Sequence, residues 1–204
     1  MTRELRYVCL SDLHLGGRRS LLTDRPEGGQ PAASTVLRAL TECIRSLVTR
    51  NGDKRPILVL NGDVMELALA SDEYSAIVFQ QFMELVMAPG DELFSEVWFL
   101  PGNHDHHRWE AAREAQYADF LLRHPEVPVP HPMFSTRMLR ERETHPTTSP
   151  LLTALLRRAV ASATGTRAEP DQLAQPGPAV SVIYPNLAVT SGDRCVVFHH
   201  GHYI

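Results

Sequence analysis

The segment Ser11-Asp12-Leu13-His14-Leu15-Gly16 places a carboxylate and an imidazole two positions apart, directly after a short apolar run. On an extended segment alternate residues point the same way, so an oxygen and a nitrogen donor would face one ion. Alone the pair is weak, because aspartate also caps turns and histidine is often only hydrogen-bonded. Repetition gives it weight. Asp63 follows "ILVLNG", Asn103 and His104 follow "VWFLPG", and "CVVF" runs into His199, His200, Gly201 and His202. Four apolar runs ending in metal-capable residues point to a metal centre built where strands end. Gly62, Gly102 and Gly201 beside these residues would let the backbone turn sharply and approach a ligand closely.

The elements that must position these residues follow from hydrophobic period. Short apolar runs at 5–10, 57–60 and 96–100 read as strands. From Ser34, Val36, Leu37, Leu40, Cys43, Ile44, Leu47 and Val48 recur at helical spacing, and the run ends at "NGDKRP". A second helix is expected over about 72–88, and a third over about 108–123 with Trp109, Ala112, Gln116, Tyr117, Phe120 and Leu121 on one side. Alternating strands and helices predict α/β layering, with the site at the C-terminal ends of the strands.

The stretch 125–178 breaks the rhythm with many prolines and one good helix at about 150–163, and is expected to be an insertion or cap. The apolar stripe Leu151, Leu152, Leu155, Leu156, Ala159 and Val160 makes packing on its own domain the ordinary expectation for that helix. A mobile cover over the site is the sharper one. Close spacing across "SGDR" predicts a hairpin and an antiparallel later sheet.

With 204 residues, 43% hydrophobic and 22% charged, the chain is expected to form one domain. A formal charge of −4 provides no overall basic field for a polyanion, and no local basic patch stands out, which disfavours nucleic acid as partner. The three cysteines, Cys9, Cys43 and Cys195, are scattered through apolar segments without zinc spacing, so buried thiols in a reducing compartment are expected. No apolar run long enough for a signal peptide or a membrane span is present, and a cytoplasmic location is expected.

Taken together, "SDLHLG", "NGDVME", "PGNHD" and "HHGH" resemble, in order and spacing, the calcineurin-like metallophosphoesterase superfamily. They are compatible with its bacterial UDP-diacylglucosamine pyrophosphohydrolase branch, and also with nucleotide diesterases and DNA-repair nucleases. The resemblance implies a four-layer α/β sandwich, two mixed β-sheets flanked by α-helices, with a helical cap insertion. It implies two divalent metal ions, manganese first and iron, zinc, nickel or cobalt after it. Asp12 and His14 would bind the first ion, and Asn103 and His200 the second. Asp63 would bridge both through its two carboxylate oxygens. His104 would sit over the substrate phosphate as charge stabiliser or general acid, oriented by Asp105. Glu66 would support the ligands from behind, and His202 would meet substrate or metal.

The implied reaction is attack of a metal-bridging hydroxide on a phosphodiester, pyrophosphate or phosphomonoester of a nucleotide or lipid-linked substrate. The family's final G-H-x-H motif is not matched, since Ile204 stands where its second histidine would be. A single domain over 1–204, incomplete at its C-terminus, is therefore expected. Two rival readings accompany this one: a catalytically silent binding module with an incomplete metal site, and a DNA-repair-type nuclease. For the Arg18-Arg19 pair, solvated surface charge is the ordinary expectation and contact with an anionic substrate the alternative. The assembly state is open.

Overall fold

The computed structural model describes residues 4–129, 139–140, 147–163, 165 and 177–201. Its centre is a five-stranded sheet in the order β1 (Tyr7–Leu10), β4 (Ile57–Asn61), β5 (Glu96–Leu100), β8 (Val180–Val182), β7 (Thr147–Thr148). The first four strands run parallel, and β7 closes the edge antiparallel to β8. A parallel sheet buried on both faces needs near-continuous apolar strands, and "ILVL" and "VWFL" supply them. The period of two then divides each strand between two cores. Leu58, Leu60, Val97 and Phe99 face the larger core, whereas Val59, Trp98 and Leu100 face the smaller one.

The larger core is covered by helices: α1 (Thr35–Thr49), α2 (Asp72–Val86), α3 (His107–Arg123) and α4 (Pro150–Ala163). Ser34 caps α1, its Oγ accepting from Leu37 N–H at 3.1 Å, and Ser71 caps α2 through Tyr74 N–H at 3.3 Å. The smaller core is closed by a second sheet of β10 (Arg194–Phe198), β9 (Leu187–Ser191) and β6 (Leu139–Arg140), which contributes Leu187 and Val189. β9 and β10 form the expected antiparallel hairpin, turning at Gly192 with φ +60°. A small hairpin, β2 (Thr23–Asp24) with β3 (Ala32–Ala33), lies between β1 and α1.

Helices, sheet and second sheet are thus three of the four expected layers. Among the described residues no helix covers the outer face of the second sheet, and Cys195, Val196 and Val197 of β10 are exposed. Helix α4 buries Leu152, Leu155, Leu156 and Ala159 in the larger core, the ordinary expectation for it. Much of the rest of 125–178 lies outside the described residues.

Local pattern misled in two places. The three cysteines are exposed, not buried. Cys9 and Cys195 sit on β1 and β10, each at the edge of its sheet with a strand on one side only, and Cys43 lies on the outer side of α1. In α3 only Arg108, Trp109 and Ala112 are buried; Gln116 and Phe120 face outward.

Candidate metal centre

β1, β4 and β5 are parallel neighbours, so the loops that follow them leave from one edge of the sheet. The first two loops remain paired beyond their strands. Asp12 N–H donates to Gly62 C=O at 3.0 Å, His14 N–H to Asp63 C=O at 2.9 Å, and Leu15 N–H to Val64 C=O at 2.8 Å. The parallel register of Leu10 with Leu60 recurs at Leu15 with Met65.

Between these pairings the chain is not extended. Asp12 (φ +56°), His14 (φ +46°) and Asp63 (φ +51°) are the non-glycine residues with positive φ among the described residues. The left-handed region is costly for residues with a Cβ and gathers at functional sites. Strand alternation is therefore not what aims Asp12 and His14, because β1 has already ended at Leu10. The strained turn aims them.

The donors converge in two groups that share Asp63. His14, Asp63 and His104 bring ligand atoms within 4.8 Å of one another, and so do Asp12, Asp63 and His200. Asp63 is buried; its Oδ1 accepts from His104 N–H at 2.9 Å, leaving Oδ2 toward His200 Nε2 at 3.4 Å and His14 Nε2 at 4.0 Å. Oδ2 thus lies toward one imidazole of each group.

The second face of each imidazole fixes its tautomer. Glu66 Oε2 takes His14 Nδ1 at 2.9 Å, and Glu66 Oε1 takes His104 Nδ1 at 2.7 Å. Asn61 C=O takes His200 Nδ1 at 3.1 Å. Both partners are acceptors, so Nδ1 carries the hydrogen in each ring, and Nε2 of His14 and of His200 turns its lone pair inward, toward Asp63 Oδ2. Lone pairs converging in this way suit a cation between them. Burial by itself would raise the Glu66 pKa, but the bonds from His104 and His14 outweigh it and hold Glu66 below the usual carboxylate value. The same bond to Glu66, against partial burial and helped by the charge of Asp63, raises the His104 pKa.

Asp105 does not orient His104. It is fully buried and its carboxylate accepts three backbone N–H groups, Gly102 at 2.6 Å, Val64 at 2.7 Å and Met65 at 3.2 Å. It ties the β5 loop to the β4 loop, and Glu66 takes the orienting part. Burial pushes the Asp105 pKa up against the pull of those three bonds.

Two glycines make the approach possible. A Cβ on Gly62, whose φ is +79°, would overlap the His200 ring, and one on Gly102 would overlap the Asp63 carboxylate and backbone. Asn103 is exposed, and among the described residues no hydrogen bond ties its amide to the cluster. His202 lies outside the described residues.

A sequence model of the calcineurin-like phosphoesterases matches residues 5–140, and this span holds Asp12, His14, Asp63, Asn103 and His104. The chain belongs to the calcineurin-like phosphoesterase family. No curated protein and no solved structure matches it. In this family member, His200 lies beyond the matched span and reaches the cluster because β10 is packed against β9. No helix of the described residues is long and apolar enough to cross a membrane.

The donor set fits a divalent ion: carboxylate oxygens and neutral imidazoles suit first-row transition metals and zinc. Sequence reasoning found every residue of the two groups. It had no access to the left-handed turns or to Glu66 serving two histidines; the acidic residue three after Asp63 was the available signal for the latter.

Proposed function

We propose that this chain is a metal-dependent hydrolase of phosphoesters, with phosphodiesters or pyrophosphates ahead of monoesters, acting in the cytoplasm. Asp12, His14, Asp63, Asn103 and His200 would hold two divalent ions, manganese first, sharing Asp63. Bound there, the ions would polarise the phosphoryl group and lower the pKa of an attacking water. The protein contributes the rest. Glu66 keeps His14 and His104 in one tautomer, and the two glycines let donors close on Asp63. His104, its basicity raised by Glu66, would meet the phosphoryl oxygens and hand a proton to the leaving group. The free, unpaired thiols support a reducing compartment.

The observation that carries this reading is the inward turn of the His14 and His200 lone pairs toward one Asp63 oxygen, with His104 alongside in the same cluster. Its test is hydrolysis of bis(4-nitrophenyl) phosphate and 4-nitrophenyl phosphate with and without Mn²⁺, beside Asp63→Ala. Mn²⁺-dependent release of nitrophenol that the substitution abolishes is the expected result. A folded protein that binds Mn²⁺ without turning over either ester would instead be a silent binding module.

A further inference from the structure

Beside the metal cluster the surface opens into a cavity of about 980 Å³, whose lining runs from Asp12, His14 and His104 to Leu21, Val36 and Leu69. Isolated exposed apolar side chains are ordinary, but gathered ones mark binding surfaces. Here Leu69 is 81% exposed, Leu21 79% and Val36 47%, and all three line this one cavity. Arg18 and Arg19 line it too, both exposed and, among the described residues, neither in an ion pair.

The loop presenting them is anchored. Gly17 N–H donates to His14 C=O at 3.0 Å, and Ser20 Oγ–H to Leu13 C=O at 3.0 Å. Ser34 Oγ–H, at the cap of α1, donates to Leu21 C=O at 2.7 Å. Arg18 to Leu21 are thus tied at one end to the metal-ligand loop and at the other to a helix, so little ordering is lost when a ligand arrives.

A phosphate group alone would fill a small part of such a volume, which is of the size that holds a whole organic ligand. A nucleobase would call for a stacking ring, and among the described residues no phenylalanine, tyrosine or tryptophan lines the cavity. We infer that the cavity seats an aliphatic group of several carbons esterified to the phosphate held at the cluster, with Arg18 and Arg19 meeting the phosphate's residual charge. This inference rests on the phosphoesterase reading above and assigns its substrate class: an amphiphilic alkyl phosphoester.

The test is calorimetric titration of the Mn²⁺-loaded protein with methylphosphonate and hexylphosphonate, so binding is read without turnover. Burying the longer chain is expected to tighten binding at least about tenfold. The double variant Leu21→Ser/Leu69→Ser, at two heavily exposed positions that folding does not need, should erase most of that preference and leave methylphosphonate unchanged. Arg18→Gln/Arg19→Gln should weaken both ligands alike. Equal affinities for the two phosphonates, or a preference untouched by the leucine substitutions, would overturn this inference and leave the phosphoesterase reading standing. Binding of neither phosphonate would overturn both.

Discussion

The two halves of the cluster are held to different standards of order. Around His14 and His104, one buried carboxylate serves both imidazoles, and the rings meet edge to face at 4.9 Å and 88°. The loops beneath them are joined by Asp105 and by continued parallel pairing. Around Asp12 and His200 the support is thinner. Asp12 is exposed, and the hydrogen bond its carboxylate accepts comes from its neighbour Ser11. His200 follows an exposed edge strand and is aimed by the Asn61 carbonyl. One half is preorganised by a single sheet; the other is assembled between two sheets, so it has more to gain in order from a bound ion.

Substituting the residue common to both halves should have the largest effect. Asp63→Ala removes the shared acceptor, and activity is expected to fall on the order of 10³-fold or more with loss of metal in both positions. Metal content by atomic spectroscopy, run beside the rate assay, checks this; a variant keeping one tightly bound ion would show that the halves are independent.

Asp105→Ala breaks the clamp between the loops rather than the cluster. Leaving three buried N–H groups without an acceptor is expected to cost about 3 kcal/mol or more. In a chain of this size that lowers Tm by roughly 6–12 °C. A melting curve like that of the unaltered protein would refute the clamp.

Glu66→Gln separates the halves. A glutamine keeps the shape but loses the charge that fixes two tautomers, and about 10–100-fold in metal affinity or rate should be lost. The loss is expected at the His14 side. Retention of the weaker Asp12–His200 position, followed by stepwise metal titration, is the outcome that sharpens the comparison.

The smallest effect is a pH dependence of the metal-free protein. The His104 pKa is raised from 6.5, so its contribution to stability is complete below that value and is lost as pH rises through the folded pKa. The Glu66 pKa is lowered from 4.5, so its contribution is present above that value and is lost as pH falls through the folded pKa. Urea midpoints should therefore be highest between about 4.5 and 6.5 for this pair, and Glu66→Gln should flatten the profile.

Much of this was legible in the sequence because it is local. Uninterrupted apolar runs such as "ILVL" specify strands buried on both faces, Ser34 and Ser71 announce helix starts, and a donor directly after each run must emerge at the sheet's C-terminal edge. So the chain's own pattern determined which residue types would meet, and where in the fold. Their partition was a different matter. Asp12 pairs with His200 and His14 with His104 because left-handed turns at Asp12, His14 and Asp63 redirect side chains that a strand would have aligned. Such turns are held by bonds between loops some fifty residues apart, as from His14 N–H to Asp63 C=O, which no local pattern encodes. The same holds for Glu66 reaching two rings, for cysteines exposed at sheet edges, and for Leu21, Val36 and Leu69 sharing one cavity wall. Burial and convergence depend on what the rest of the chain covers, and only the tertiary structure decides that.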